Sequence, residues 1–121
     1  MKRIATLFAA AALGLLSATA AFAHAHLEKA VPGVGTTVSA GPSEVRLVFS
    51  EAVEPRFSSI VVTRADGSAV ASGAAADASD PKALVLKLGA ALPAGAYKVQ
   101  WKIVSVDTHK TEGSFGFQVG K

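Results

Sequence analysis

The sequence predicts an all-β fold, an antiparallel sandwich or barrel of about seven strands joined by Greek-key connections. Apolar and polar residues alternate with a period of two along most of the chain after residue 23, as in strands with one buried face. No long segment there shows the period of about 3.6 residues that marks an amphipathic helix. Glycine, proline and aspartate separate the runs at intervals typical of a sandwich.

Four runs carry this alternation most clearly, and their apolar members define the expected core. These are Val45, Leu47 and Phe49; Leu84, Leu86 and Leu88; Tyr97, Val99, Trp101 and Ile103; and Phe115, Phe117 and Val119. The run that begins at Tyr97 alternates with lysines and a glutamine, which predicts a half-buried strand with one face in water. Tyr97 and Trp101 are therefore expected to be core aromatics.

Turn residues divide the runs at recognisable places. Pro32-Gly33 is expected to end a first short strand, Asp66-Gly67 to form a hairpin turn, and Pro93-Ala94-Gly95 to lead into the Tyr97 strand. The alanine-rich segment from Ser72 to Asp80 is expected to be a longer loop. A short helix is the alternative there, because alanine favours helices.

Residues 1–23 have the features of a secretory signal peptide. Lys2 and Arg3 precede a largely apolar stretch, and Ala21-Phe22-Ala23 matches a small-x-small cleavage site. The mature domain is therefore predicted to be residues 24–121, starting at His24. A retained membrane anchor is the less favoured alternative, because the stretch falls short of the roughly 20 apolar residues that span a bilayer.

The composition excludes several classes of site and partner. The chain has no cysteine, so disulfides, cysteine-ligated zinc, thiolate-bound iron–sulfur clusters and cysteine nucleophiles are all excluded. Its 121 residues include 12 Lys or Arg and 9 Asp or Glu, and removing the leader leaves ten basic against nine acidic residues. This near neutrality gives no support for nucleic-acid binding.

The three histidines are the most informative polar residues, at positions 24, 26 and 109. Cleavage after Ala23 would make His24 the amino terminus. It would then offer an α-amino nitrogen and an imidazole, two donors that can chelate one metal ion.

Two carboxylates also stand at predicted strand ends. Asp107 and His109 share the parity of Tyr97 and Trp101, so in an extended chain both would project to one side just past the packed part of the strand. Glu51 likewise shares the parity of the strand that precedes it. Alternatively, Asp107 caps its own loop and Glu51 pairs with Arg56, an exposed pair worth about 0 to 1 kcal/mol.

These residues resemble those of the CopC family of periplasmic copper-binding proteins. The resemblance rests on His24 after the cleavage site, the Pro32-Gly33 turn, and Val48-Phe49-Ser50-Glu51. It rests most specifically on a glycine–tyrosine–tryptophan strand, Asp107-Thr108-His109, and Gly113-Ser114-Phe115-Gly116-Phe117, and it covers essentially the whole mature chain.

The resemblance implies a cupredoxin-like or immunoglobulin-like β-sandwich that holds Cu(II) in a histidine brace. His24 would supply its amino nitrogen and imidazole, His109 a second imidazole, and Asp107 an oxygen at or beside the metal. Glu51 would be an auxiliary residue near the site.

Nitrogen and oxygen donors in a tetragonal arrangement suit Cu(II), with zinc as the main competitor. Some family members have a methionine-rich loop for Cu(I), but the only methionine here is Met1, so a soft sulfur site is not expected. His26 is open to two interpretations. It is either an ordinary surface or strand residue beside the site, which is slightly favoured, or part of an amine-x-His chelate that competes for the His24 amine.

The predicted function is a periplasmic Cu(II)-binding protein for copper homeostasis, resistance or delivery, without turnover. A membrane transporter resembling the CopD type, or another periplasmic copper protein, would be its partner. A copper-dependent oxidative enzyme that uses a histidine brace is one alternative, although 98 residues leave little room for a broad substrate face. A metal-free immunoglobulin-like interaction module is the other.

Overall fold

Two β-sheets packed face to face make up the part of the chain that the structure, a computed structural model, describes: residues 25–120. The predicted signal peptide and His24 lie outside these residues. The nine strands are β1 (Leu27–Val31), β2 (Thr37–Val38), β3 (Glu44–Phe49), β4 (Ser59–Arg64), β5 (Ala69–Gly73), β6 (Ala75–Asp77), β7 (Asp80–Lys87), β8 (Gly95–Val104) and β9 (Lys110–Val119).

One sheet has four strands in the order β1-β3-β7-β6, and the other has five in the order β2-β9-β8-β4-β5. The longest pairing joins β8 to β9 in antiparallel register from Gly95 opposite Val119 to Val104 opposite Lys110. All pairings are antiparallel except the short one between β2 and β9. The predicted all-β sandwich is therefore confirmed.

The predicted apolar faces meet between the two sheets. Val45, Leu47 and Phe49 of β3 are fully buried, and they face buried Val99 and Trp101 of β8. The Phe49 and Trp101 rings pack edge to face with centroids 5.1 Å apart. Because this core forms without disulfides, the burial of these side chains is the main source of stability.

Two features differ from the sequence prediction. The sandwich has nine strands instead of about seven, because β2 and β6 are too short to produce a visible alternation. The alanine-rich segment from Ser72 to Asp80 is neither a long loop nor a helix, since most of it belongs to β5, β6 and β7. Pairing of β6 with β7 outweighs the weak helix preference of alanine over so few residues.

The predicted turns are confirmed. The chain leaves β1 at Pro32, Gly67 adopts a positive φ of 88° in the hairpin between β4 and β5, and Gly95 begins β8. The connection from β3 to β4 crosses between the sheets and contains Glu51 and a 3-10 turn at Pro55–Phe57. Residues 25–120 contain no helix with the length and apolar character needed to cross a membrane.

Candidate metal centre

A tight turn between β8 and β9 brings Asp107 and His109 together. Ser105 N–H donates to the His109 carbonyl oxygen at 2.9 Å, and Thr108 N–H donates to the Ser105 carbonyl oxygen at 2.9 Å. Thr108 has a positive φ of 73°, which reverses the chain direction. The expectation that Asp107 and His109 share one side of an extended chain is therefore wrong, because a turn and not strand parity sets their positions.

The Asp107 carboxylate and the His109 imidazole lie side by side, with Oδ2 3.2 Å from Nδ1. Both side chains are roughly half exposed. A hydrogen bond from the Ser105 hydroxyl, followed by the nearby His109 ring, lowers the pKa of Asp107 below its ordinary value. Asp107 is therefore ionised at neutral and mildly acidic pH and can serve as an anionic oxygen donor.

Ser105 is the one buried polar residue of residues 25–120, with 1% of its surface exposed. Its hydroxyl donates to Asp107 Oδ1 and lies 3.3 Å from the His109 carbonyl oxygen. It thus ties the buried end of β8 to both candidate ligands. The sequence does not predict this role for Ser105, because its burial and its bond to the Asp107 side chain depend on the turn.

Glu51 lies two residues after β3, as its position in the sequence predicts. One carboxylate oxygen, Oε2, is buried and has no hydrogen-bond partner among the described residues. The alternative pairing with Arg56 is not observed between these two described residues; the Arg56 guanidinium lies 5.8 Å from the centre of the Phe57 ring. A buried carboxylate oxygen without a partner is unfavourable, so this position favours a nearby cation or proton donor.

Hydrogen bonds tie three segments together at this end of the sandwich. At the chain start, Ser50 N–H donates to the His26 carbonyl oxygen at 2.8 Å, and His26 N–H donates to Ser50 Oγ at 2.9 Å. At the turn, Val106 N–H donates to the Ala52 carbonyl oxygen at 3.0 Å. Glu51 therefore lies between Ser50, which is hydrogen-bonded to His26, and Ala52, which is hydrogen-bonded to the β8–β9 turn.

His26 and His24 are the other two histidines predicted at or near the site, and the structure describes only His26. The His26 backbone is fixed by Ser50, but its side chain is 72% exposed and its Nε2 is 3.9 Å from Glu28 Oε2. His24 lies outside the described residues, although the adjoining Ala25 is buried in the core. Within residues 25–120, no group of three histidine, aspartate or glutamate side chains could hold a metal ion.

A comparison with protein-family models finds a CopC domain over residues 27–120, which contain both sheets and the β8–β9 turn. The chain belongs to the CopC family. Copper resistance protein C of Pseudomonas syringae pv. tomato is 38% identical over 120 residues, covering 94% of this chain and 92% of that protein. The family resemblance noted in the sequence is thereby confirmed.

Solved CopC-family structures share the fold. The crystal structure of CopC from Methylosinus trichosporium OB3b matches with a TM-score of 0.75 and 36% identity, covering 79% of this chain and 93% of that one. PcoC from Escherichia coli matches with a TM-score of 0.73 and 37% identity, covering 81% of this chain and 100% of that one. PcoC is described as a methionine-rich copper resistance protein, whereas this chain has the single methionine Met1.

Proposed function

We propose that residues 24–121 are a periplasmic Cu(II)-binding protein that serves copper homeostasis, resistance or delivery, after removal of residues 1–23 as a signal peptide. Copper is the cargo of this protein and is held without turnover. The proposed ligands are the amino nitrogen and imidazole of His24, the imidazole of His109 and an oxygen of Asp107. Glu51 is the auxiliary group.

The observation that carries this proposal is the double attachment of the segment from Ser50 to Ala52. Ser50 is hydrogen-bonded to His26 near the start of the proposed mature chain. The Ala52 carbonyl oxygen accepts a hydrogen bond from Val106 N–H in the turn that contains the candidate ligands. His24 is covalently joined to Ala25, whose side chain is buried in the same core. This arrangement supports a site to which the start of the mature chain and the β8–β9 turn both contribute.

The described residues also fit a cation at this position. Asp107 is ionised and can accept a cation directly, and the Oε2 atom of Glu51, buried without a hydrogen-bond partner among the described residues, would be stabilised by positive charge nearby. The absence of a group of three ligands within residues 25–120 agrees with a site that needs His24 to be complete.

The donor set favours Cu(II) over other metals. Amine and imidazole nitrogens with a carboxylate oxygen suit the tetragonal geometry of Cu(II), which also heads the affinity order of the divalent first-row metals. Cu(I) prefers thiolate or thioether sulfur, and the mature chain has neither cysteine nor methionine. The CopC-family relatives named as copper resistance proteins support copper as the metal.

Delivery requires a second protein that takes up the ion. We propose a membrane copper transporter resembling the CopD type, or another periplasmic copper protein, in this role. The half-exposed side chains of Asp107 and His109 support direct exchange, because a partner's ligands could approach the ion without unfolding of the turn.

Electron paramagnetic resonance of the processed protein with one equivalent of Cu(II) tests the ligand set. We expect a tetragonal spectrum with nitrogen coupling that changes in His109→Ala and is retained in His26→Ala. The reverse outcome, loss in His26→Ala and no change in His109→Ala, would replace the brace by the amine-x-His chelate. Reductant-driven peroxide formation by the copper-loaded protein would contradict binding without turnover.

A further inference from the structure

The outward face of the five-stranded sheet carries exposed lysines next to the candidate metal centre. Lys98 and Lys102 alternate along β8 with buried Val99 and Trp101, so they point away from the core. Lys110 begins β9 opposite Val104, where β8 enters the β8–β9 turn. We call Lys98, Lys102 and Lys110 the lysine face.

The charges of the lysine face are not neutralised within residues 25–120. None of its three lysines forms an ion pair there, and Glu112, opposite Lys102, is the one acidic residue among the outward positions of β4, β8 and β9. In the other sheet, Arg46 pairs with Asp77 at 2.9 Å and Lys87 pairs with Glu44 at 2.9 Å. Two exposed lysines of that sheet also form no ion pair with described residues, so the lysine face differs from it by having three such lysines on one hairpin, next to the β8–β9 turn.

The lysine face is concave. Short side chains flank β8 on both sides, with Ser59 and Val61 on β4 and Ser114 on β9, and together with Gln100 they line a shallow trough. The trough crosses β4, β8 and β9 at the part of β8 nearer the turn, and Lys102 and Glu112 also line it. A peptide segment can enter such a trough, whereas a flat bilayer surface would leave it unfilled.

An exposed aromatic side chain stands at the end of the trough nearest the turn. Phe57 is 66% exposed and lines a second hollow with Val104 and Lys110. Arg56 lies over the Phe57 ring at 5.8 Å, which adds a further positive charge. An exposed aromatic ring surrounded by cations is typical of an interaction site, because the ring supplies contact area and the charges supply orientation.

We propose that the lysine face and Phe57 bind an acidic segment of a partner protein, one that combines glutamate or aspartate side chains with an apolar residue placed against Phe57. Binding there brings the partner alongside the β8–β9 turn. Only the consequence for copper exchange rests on the proposed function. The binding itself depends on the charge and shape of this face and needs no copper.

The test measures binding of a fluorescein-labelled peptide, made of glutamate pairs separated by phenylalanines, to the metal-free processed protein at low salt. We expect the double variant Lys98→Glu/Lys102→Glu to weaken binding about tenfold or more, and added salt to weaken it in the wild type. The matched control, Lys29→Glu/Lys82→Glu, makes the same change of net charge at exposed lysines in the other sheet and should retain binding. Phe57→Ser should weaken binding at unchanged net charge.

Three results would overturn the proposal. One is no measurable binding of the peptide, and another is an equal loss in the two double variants, which would indicate attraction by net charge alone. The third is tighter association with vesicles of phosphatidylethanolamine and phosphatidylglycerol than with the peptide, which would indicate a membrane surface. Because copper is absent, none of these results bears on whether the protein binds Cu(II).

Discussion

Glu51 has an unfavourable environment in the metal-free protein, because its buried Oε2 atom has no hydrogen-bond partner among the described residues. Glu51→Gln keeps the shape of the side chain and removes its charge. We expect the metal-free variant to be more stable by about 1 kcal/mol and its Cu(II) affinity to fall by about tenfold. Urea unfolding and competitive copper titration measure the two effects.

The control for Glu51→Gln is Glu54→Gln, which removes a carboxylate in the same connection. Glu54 contributes its backbone to a hydrogen bond with Val104, and the substitution leaves that bond in place. Equal copper affinity in wild type and Glu51→Gln would show that this carboxylate does not assist the site.

Ser105 holds the turn that contains the candidate ligands. In Ser105→Ala the hydrogen bond to Asp107 is lost, so we expect the pKa of Asp107 to rise toward its ordinary value and Cu(II) affinity to fall by about tenfold. Titration of the metal-free protein by NMR and a copper titration check both effects. Ser114→Ala removes an exposed hydroxyl from β9 and should change neither; a similar loss in both variants would argue against a positioning role for Ser105.

At the scale of strands, the sequence predicts best where one face is buried and the other is in water. The four clear runs correspond to β3, β7, β8 and β9, because alternation of apolar and polar residues follows from burial of one strand face. The short strand β2 could not be predicted because its partner, β9, is distant in sequence, and β6 could not because three residues, two of them alanine, show no alternation. The sequence offered a loop at Asp107 as an alternative to an extended chain, but the tight geometry of the β8–β9 turn could not be predicted, because the positive φ of Thr108 has no signal in residue type.

The β8–β9 hairpin also has a steric requirement that strand patterns do not reveal. A Cβ atom on Gly113 would lie 2.5 Å from Trp101 Cζ2, so the indole ring packs directly over this glycine. We expect Gly113→Ala to destabilise the protein by about 1 to 3 kcal/mol, because the ring must move within a packed core. Urea unfolding measures this change.

Gly116→Ala is the matched control for Gly113→Ala, since it adds a Cβ on the same strand at an ordinary distance of 3.5 Å from the Tyr97 carbonyl oxygen. It should be much less destabilising. Similar losses in the two variants would mean that the Trp101 contact is not the cause.

At the scale of the whole molecule, the proposed site would join residues that are far apart in the chain, and the sequence alone could predict only part of it. Residue chemistry and family resemblance predicted His24, Asp107 and His109 as copper ligands and Glu51 as an auxiliary residue. The fold then connects the segment that contains Glu51 to His26 through Ser50 and to the turn through Ala52, by hydrogen bonds that no local pattern predicts. That any of these predicted residues, or His26, binds the metal remains a prediction.

Copper affinity should depend on pH in a direction set by the nitrogen donors. Terminal amines ordinarily titrate at about 7.7 to 8 and imidazoles at about 6.5, and only the deprotonated forms bind metal. Asp107 has a lowered pKa and stays ionised over this range, so it does not contribute to the change. Affinity should therefore fall at least about tenfold from about pH 7.5 to about pH 5.5, as measured by competitive titration; equal affinity at both values would exclude this ligand set.

The central claim is that the amino terminus created by cleavage binds the same Cu(II) ion as the β8–β9 turn. Its most direct test compares the Cu(II) affinity of the protein that starts at His24 with that of a protein carrying one extra alanine before His24. The account predicts a loss of about a hundredfold or more, because the α-amine donor becomes an amide. Equal affinity in the two proteins would contradict it.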